Sequence, residues 1–103
     1  MQKQKITLET NLSDINLHQC GSEKCVANHA QGPAIRPYYL LHFIISGKGV
    51  FETNGITYNL SEGQAFLITP NQISFYRADS NDPWEYSWVA FDGIKAEYYL
   101  KTA

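Results

Sequence analysis

The segment Trp84-Glu85-Tyr86-Ser87-Trp88 carries three aromatic rings in five positions. In an extended chain, successive side chains point to opposite faces, so Tyr86 and Trp88 share one face and Glu85 and Ser87 the other. Tyr76 lies in an apolar stretch shortly before, and Arg36 opens the stretch that leads to His42. Indole and phenol rings offer an apolar face with a polar tip. A sugar ring is their complement, with C–H groups on its face and hydroxyls at its rim. A guanidinium adds fixed donors that grip two oxygens at once. Trp88, Tyr86, Tyr76, Arg36 and His42 are therefore the candidate ligand-binding residues. The competing reading is that the rings only fill a core, and composition alone favours it.

Other constellations are weaker. His18, Cys20, Cys25 and His29 fall within twelve positions, and imidazole and thiolate are zinc ligands. Their spacing is loose, and the preferred reading is two strand thiols and two surface histidines without a metal. No G-x-S-x-G is present, and no Ser or Cys has a His at a recognisable spacing. His42, flanked by apolar residues, reads as a core or pocket-wall histidine before a catalytic base. Asp79, Asp82 and Glu85 belong to a polar loop and its exit.

The elements that must position these residues are strands. Tyr38 to Ser46 is β-branched and aromatic on both faces. Gly47-Lys48-Gly49 reads as a hairpin loop, Val50 to Thr53 as the returning strand, and Asn54-Gly55 as a type I′ turn, which needs positive φ twice. Ile56 to Leu60, Ala65 to Thr69, Ile73 to Arg77 and Trp84 to Phe91 follow. Upstream, Ile15 to Cys20 reads as a strand, Gly21-Ser22 as a turn, Cys25-Val26-Ala27 as a returning strand, and Gly32-Pro33 as a break. About eight short strands with turns every 8–12 residues make an all-β sandwich or barrel. A small barrel can hold one small ligand inside. Residues 1–13 read as a polar N-terminal arm, 14–92 as the barrel. In 93–103 the pattern after Asp92, a good N-cap, turns helical and stops after one apolar stripe.

The 103 residues suffice for one domain. Eight Lys and Arg against ten Asp and Glu give a net charge of −2, with Arg36 and Arg77 as the two arginines. Such a surface does not neutralise a nucleic-acid backbone by itself. The longest apolar run, Tyr38 to Ile45, is too short to span a bilayer, and no apolar stretch follows Lys3 and Lys5 as in a secretory signal. Two cysteines in such a chain point to reduced thiols and a cytoplasmic location.

Three blocks together resemble the N-terminal effector domain of AraC-family transcriptional regulators: Gly32-Pro33-Ala34-Ile35-Arg36-Pro37 through Gly49, Glu62-Gly63 through Pro70-Asn71-Gln72-Ile73, and Trp84 through Phe91. They cover residues 32–91 in the family's order and spacing. The first block is most similar to sugar-utilisation activators of Gram-positive bacteria. The resemblance implies a cupin-like double-stranded β-helix, a jelly-roll barrel that senses a small effector, commonly a sugar. It implies no cofactor and no enzymatic activity. It also implies a pair of dimerisation helices, of which residues 93–103 would begin the first. Promoter DNA would be bound only through a C-terminal helix-turn-helix domain that these 103 residues lack. A homodimer is compatible with the Tyr98, Tyr99 and Leu100 stripe. In the arabinose-responsive member a tryptophan at the position of Trp88 stacks on the sugar, and a tyrosine matches Tyr76. Tyr86 replaces a ligand-contacting histidine, and Arg36 is an analogue of an arginine several positions upstream. Metal-using cupins place H-x-H in the central strands and a further His after the Gly…Pro turn; here the counterparts are His42 alone and Ser74. The alternatives are a cupin-type sugar isomerase or epimerase, with His42 as its base, and a ligand-free dimerisation module.

Overall fold

Strands whose apolar residues alternate can bury that face only against a second sheet, and the chain provides two. The computed structural model describes residues 2–7 and 16–92. These form β1 (Gln2–Thr7), β2 (Asn16–Lys24), β3 (Ala30–Ala34), β4 (Tyr39–Ser46), β5 (Lys48–Thr53), β6 (Ile56–Ser61), β7 (Ala65–Ile68), β8 (Ser74–Ala78) and β9 (Glu85–Asp92). One sheet has the order β1-β2-β9-β4-β7 and the other β3-β8-β5-β6. Every pairing within them is antiparallel. This is the expected all-β jelly roll. The helix expected after Asp92 falls in 93–103, outside the described residues, as do residues 1 and 8–13 of the expected arm. No helix among the described residues is long and apolar enough to cross a membrane.

The best turn signal holds. Asn54 and Gly55 have φ of 52° and 75°, and Thr53 pairs with Ile56 across them. Three other expectations need correction. Gly47 does not close a hairpin, because β4 and β5 lie in different sheets. It is the corner where the chain changes layers: its φ is +74°, and a Cβ there would sit 2.5 Å from the Pro83 carbonyl oxygen. Gly21-Ser22 does not turn. Both residues run straight through β2, which is paired on its two edges with β1 and β9, and that double ladder outweighs local turn preference. The turn comes later, where the His29 amide donates to the Val26 carbonyl at 3.1 Å and Asn28 takes a φ of 62°. Cys25-Val26-Ala27 is accordingly not a strand. The strand there is β3, whose register against β8 shifts between Gln31 and Ala34, around Gly32-Pro33.

The core between the sheets is aromatic. Phe66 is its hub, with ring centroids 4.5 Å from His42, 4.7 Å from Phe51, 5.3 Å from Tyr76 and 5.6 Å from Trp84. Trp84 lies just before β9 and is fully buried. In β4 the alternation is clean: Leu40, His42 and Ile44 point inward, while Leu41, Phe43 and Ile45 are exposed on the outer face.

Candidate functional site

The aromatic filling stops short of one end of the barrel. There β9 turns Tyr86 and Trp88 to the same inner face, as its period of two requires. Tyr86 is buried by its neighbours, but Trp88 is only half-buried. In register, Trp88 has His42 on one side and Gly21 on the other. Gly21 puts no side chain beside the indole. The result is a cavity of about 140 Å³ lined by Gln19, Glu23, Gln31, Arg36, Tyr38, Leu40, His42, Tyr76, Tyr86 and Trp88. It is close to the ~150 Å³ of an apolar cavity that admits a benzene ring, so it has room for about one six-membered ring.

All five residues singled out from the sequence, Trp88, Tyr86, Tyr76, Arg36 and His42, line this one space. Arg36 does so from the connection between β3 and β4 and not from the head of β4. Its carbonyl accepts from the Asn71 amide at 3.0 Å, which ties that connection to the turn before β8. The sequence reading missed Glu23, Gln19, Gln31 and Tyr38. The signal for two of them was present: with β2 continued through Gly21, Gln19, Gly21 and Glu23 fall on one face.

The cavity wall is polar in an unusual way. Among the described residues, three buried side-chain polar atoms have no hydrogen-bond partner, Arg36 Nη1, His42 Nδ1 and Ser74 Oγ, and the first two belong to residues of this wall. Buried polar groups are almost always paired, because an unpaired one forfeits its hydration. Opposite charges also face the space without joining. Glu23, 3% exposed, reaches His29 Nε2 at 3.4 Å and accepts a long contact of 3.5 Å from the Tyr86 hydroxyl. Burial pushes the Tyr76 hydroxyl up to about 12, with Arg36 pulling it down and Glu23 pushing it up. Burial also raises Tyr86, helped by Tyr76. Both phenols are therefore neutral near pH 7 and can donate and accept. Burial first, then the Arg36 charge, lowers His42 to about 3. Its imidazole is neutral and offers one donor and one acceptor nitrogen.

The four residues noted in the sequence as possible metal ligands do not converge as a set. His18 Nε2 is paired with Asp92 Oδ2 at 2.8 Å, and Cys20 stands opposite Val89 in the β2–β9 ladder. Cys25 and His29 instead gather with Glu23.

The architecture is similar to solved cupins. The Cnp3 cupin domain of Schizosaccharomyces pombe superposes with a TM-score of 0.67 at 10% identity, over 99% of this chain and 72% of that one. A cupin 2 conserved barrel domain protein from Salinispora arenicola gives 0.67 at 9% identity, over 98% and 83%. In sequence, the Msm operon regulatory protein of Streptococcus mutans is 42% identical over 93 residues, 90% of this chain and 34% of its own length. The raffinose operon transcriptional regulatory protein of Pediococcus pentosaceus is 34% identical over 97 residues, 91% and 35%. The lactose operon transcription activator of Staphylococcus xylosus is 33% identical over 92 residues, 89% and 33%. The chain thus spans about a third of the length of these curated relatives. The family described as the AraC-like ligand binding domain matches residues 16–103. Barrel, cavity and this match agree, and the chain belongs to the AraC-like ligand-binding domain family.

Proposed function

We propose that the cavity beside Trp88 takes one ring of a small carbohydrate, and that this occupancy is the input of a DNA-binding transcriptional regulator. The observation that carries the reading is that two of the three unpartnered buried atoms among the described residues, Arg36 Nη1 and His42 Nδ1, belong to the wall of a ring-sized space that includes an indole. A sugar hydroxyl accepts from the guanidinium and can complement either tautomer of the imidazole, while Glu23, Gln19 and Gln31 add polar contacts around the rim. Trp88 would stack on the ring, with Tyr86 and Tyr76 as walls. A longer saccharide would seat one unit and leave the rest at the mouth. The relatives' names, operon regulators with raffinose and lactose among them, support the same class of ligand.

The chain is read as non-enzymatic. A general base works best with a pKa near the operating pH, and His42, lowered to about 3, is far from it. The dimerisation-module alternative expects a filled interior, which the cavity disfavours. Promoter DNA would be contacted by a portion of the regulator outside these 103 residues, in the cytoplasm, with the chain working as a homodimer. Residues 1–13 would serve as an arm docked on the edge of the sheet through β1, and 93–103 as the start of a dimerisation helix. The effector would act only through a difference in its affinity for two states of the regulator.

Tryptophan emission tests the reading directly. Trp84 reports on the core and Trp88 on the cavity. Titration with a panel of mono- and oligosaccharides is expected to shift emission for at least one, and saturation to about 100 times the dissociation constant adds about 2.7 kcal/mol of stability. Trp88→Ala is expected to fold and lose the response. Flat emission and an unmoved melting temperature across the panel would sink the proposal.

Arg36→Met separates binding from folding. It removes charge-assisted hydrogen bonds worth about 1.5–3 kcal/mol, a loss of roughly 10- to 150-fold in sugar affinity. It also removes an unpartnered buried donor, so the variant is expected to melt no lower than the parent. A variant that melts several degrees lower and binds normally would show Arg36 to be structural.

A further inference from the structure

The end of β2 and the turn after it bring together a carboxylate, a thiol and an imidazole that a sugar sensor does not require as a set. One ligating atom from each of Glu23, Cys25 and His29 lies within 4.8 Å of the other two. Glu23 and Cys25 are buried, and His29 is half-buried. The backbone holds them in place. The Cys25 amide donates to the Trp84 carbonyl at 3.1 Å, and the His29 carbonyl accepts from the Ala78 amide at 2.9 Å. Between them the turn at Asn28 returns the imidazole toward Glu23. Among the described residues the contacts of the buried Glu23 carboxylate are long, 3.4 Å to His29 Nε2 and 3.5 Å from the Tyr86 hydroxyl. A buried carboxylate usually finds closer company or a cation.

We propose that Glu23, Cys25 and His29 form a zinc site. One sulfur, one nitrogen and one oxygen suit a borderline-soft tetrahedral ion, where magnesium and calcium require oxygen alone. Zinc bond lengths place tetrahedral ligand atoms roughly 3.3–3.7 Å apart. The Glu23–His29 separation already meets this, and the set closes with a movement of about 1 Å in the thiol or carboxylate, well within side-chain rotation. Coordination forms the zinc–sulfur bond as the thiol proton leaves to solvent, so affinity falls with acid. The Cys25 sulfur gives up its hydrogen bond with the Tyr86 hydroxyl, and the fourth position is left to water. The site is on β2 and the turn after it, and it shares Glu23 with the wall of the cavity beside Trp88.

The test is zinc titration of the purified protein against a chromophoric chelator, with cobalt(II) as the optical probe and no carbohydrate present. Its outcome is thereby independent of the sugar reading. The expected result is one equivalent bound, with a near-ultraviolet thiolate-to-cobalt band. E23Q, C25S and H29A should each weaken binding by at least about tenfold, the lower end of what even an outer-shell loss costs. C25S should remove the band, while H18A and C20S leave affinity unchanged. No competition with the chelator, cobalt binding without the thiolate band, or loss of binding in H18A or C20S but not in C25S would each overturn the site. The parent's cobalt spectrum alone decides thiolate ligation if C25S does not fold, and H29A, at the half-buried position, supplies the variant.

Discussion

Trp84→Ala is expected to lower the stability of the barrel by about 3–5 kcal/mol, the range for deleting a large aromatic from a core. Small domains are stable by only 5–15 kcal/mol in all, so the variant should stand near the edge of folding. The reason is geometric. The indole is fully buried, with ring centroids 5.6 Å from Phe66, 6.0 Å from Tyr86 and 6.5 Å from Tyr76. Its other side rests against Gly49, where a Cβ would come within 2.5 Å of the ring. The neighbours cannot collapse into the gap, because Gly49 has no side chain to offer and Phe66 is already stacked on Phe51 and His42. Urea denaturation measures this as a drop in midpoint at unchanged slope. A change under about 1 kcal/mol would mean that the ring is not the keystone of the core. Trp88→Ala, which empties a site already half open, should cost much less.

The second large effect is acid sensitivity through His42. Its native value of about 3 lies below the ordinary 6.5, so between these limits the unfolded chain binds a proton that the folded chain refuses. Stability therefore falls as pH drops through this window, with a limiting slope of about 1.4 kcal/mol per pH unit from this residue. Above pH 6.5 both states are neutral and the contribution is flat. Phe66 stacks on the imidazole, Tyr76 and Tyr86 pack against it, and Arg36 repels its proton, so loss of hydration and the guanidinium charge together oppose protonation. His42→Phe is expected to flatten the profile between pH 4 and 6.5. Denaturation midpoints of both proteins over that range make the comparison; parallel curves would show that His42 is not the source.

How much of this was legible in the sequence follows from where local signals act alone. Asn54-Gly55 sits between two strands of one sheet, and its turn chemistry decided the geometry. The inward set on β9, Tyr86 and Trp88, also followed from the pleat alone, and with Tyr76, Arg36 and His42 it outlined the cavity before any fold was known. The failures have one cause. Gly21-Ser22 and Gly47 carry turn residues where tertiary pairing sets the path: Gly21 sits in a doubly paired strand, and Gly47 moves the chain between sheets. Reading Gly21 as a turn hid the alternation Gln19, Gly21, Glu23 and with it the acidic side of the site. The gathering of Glu23 with Cys25 and His29 depends on the later turn at Asn28, which that same misreading displaced.

The pleat of β4 has a consequence for the proposed signalling role. His42 faces the cavity and Phe43, its immediate neighbour, lies 48% exposed on the outer surface. A single backbone carries both, so a tilt of the strand that recentres the imidazole over a guest must swing the phenyl ring as well. Inside and outside are thus geared together through one peptide unit, and news of occupancy needs to cross no more than the thickness of a sheet.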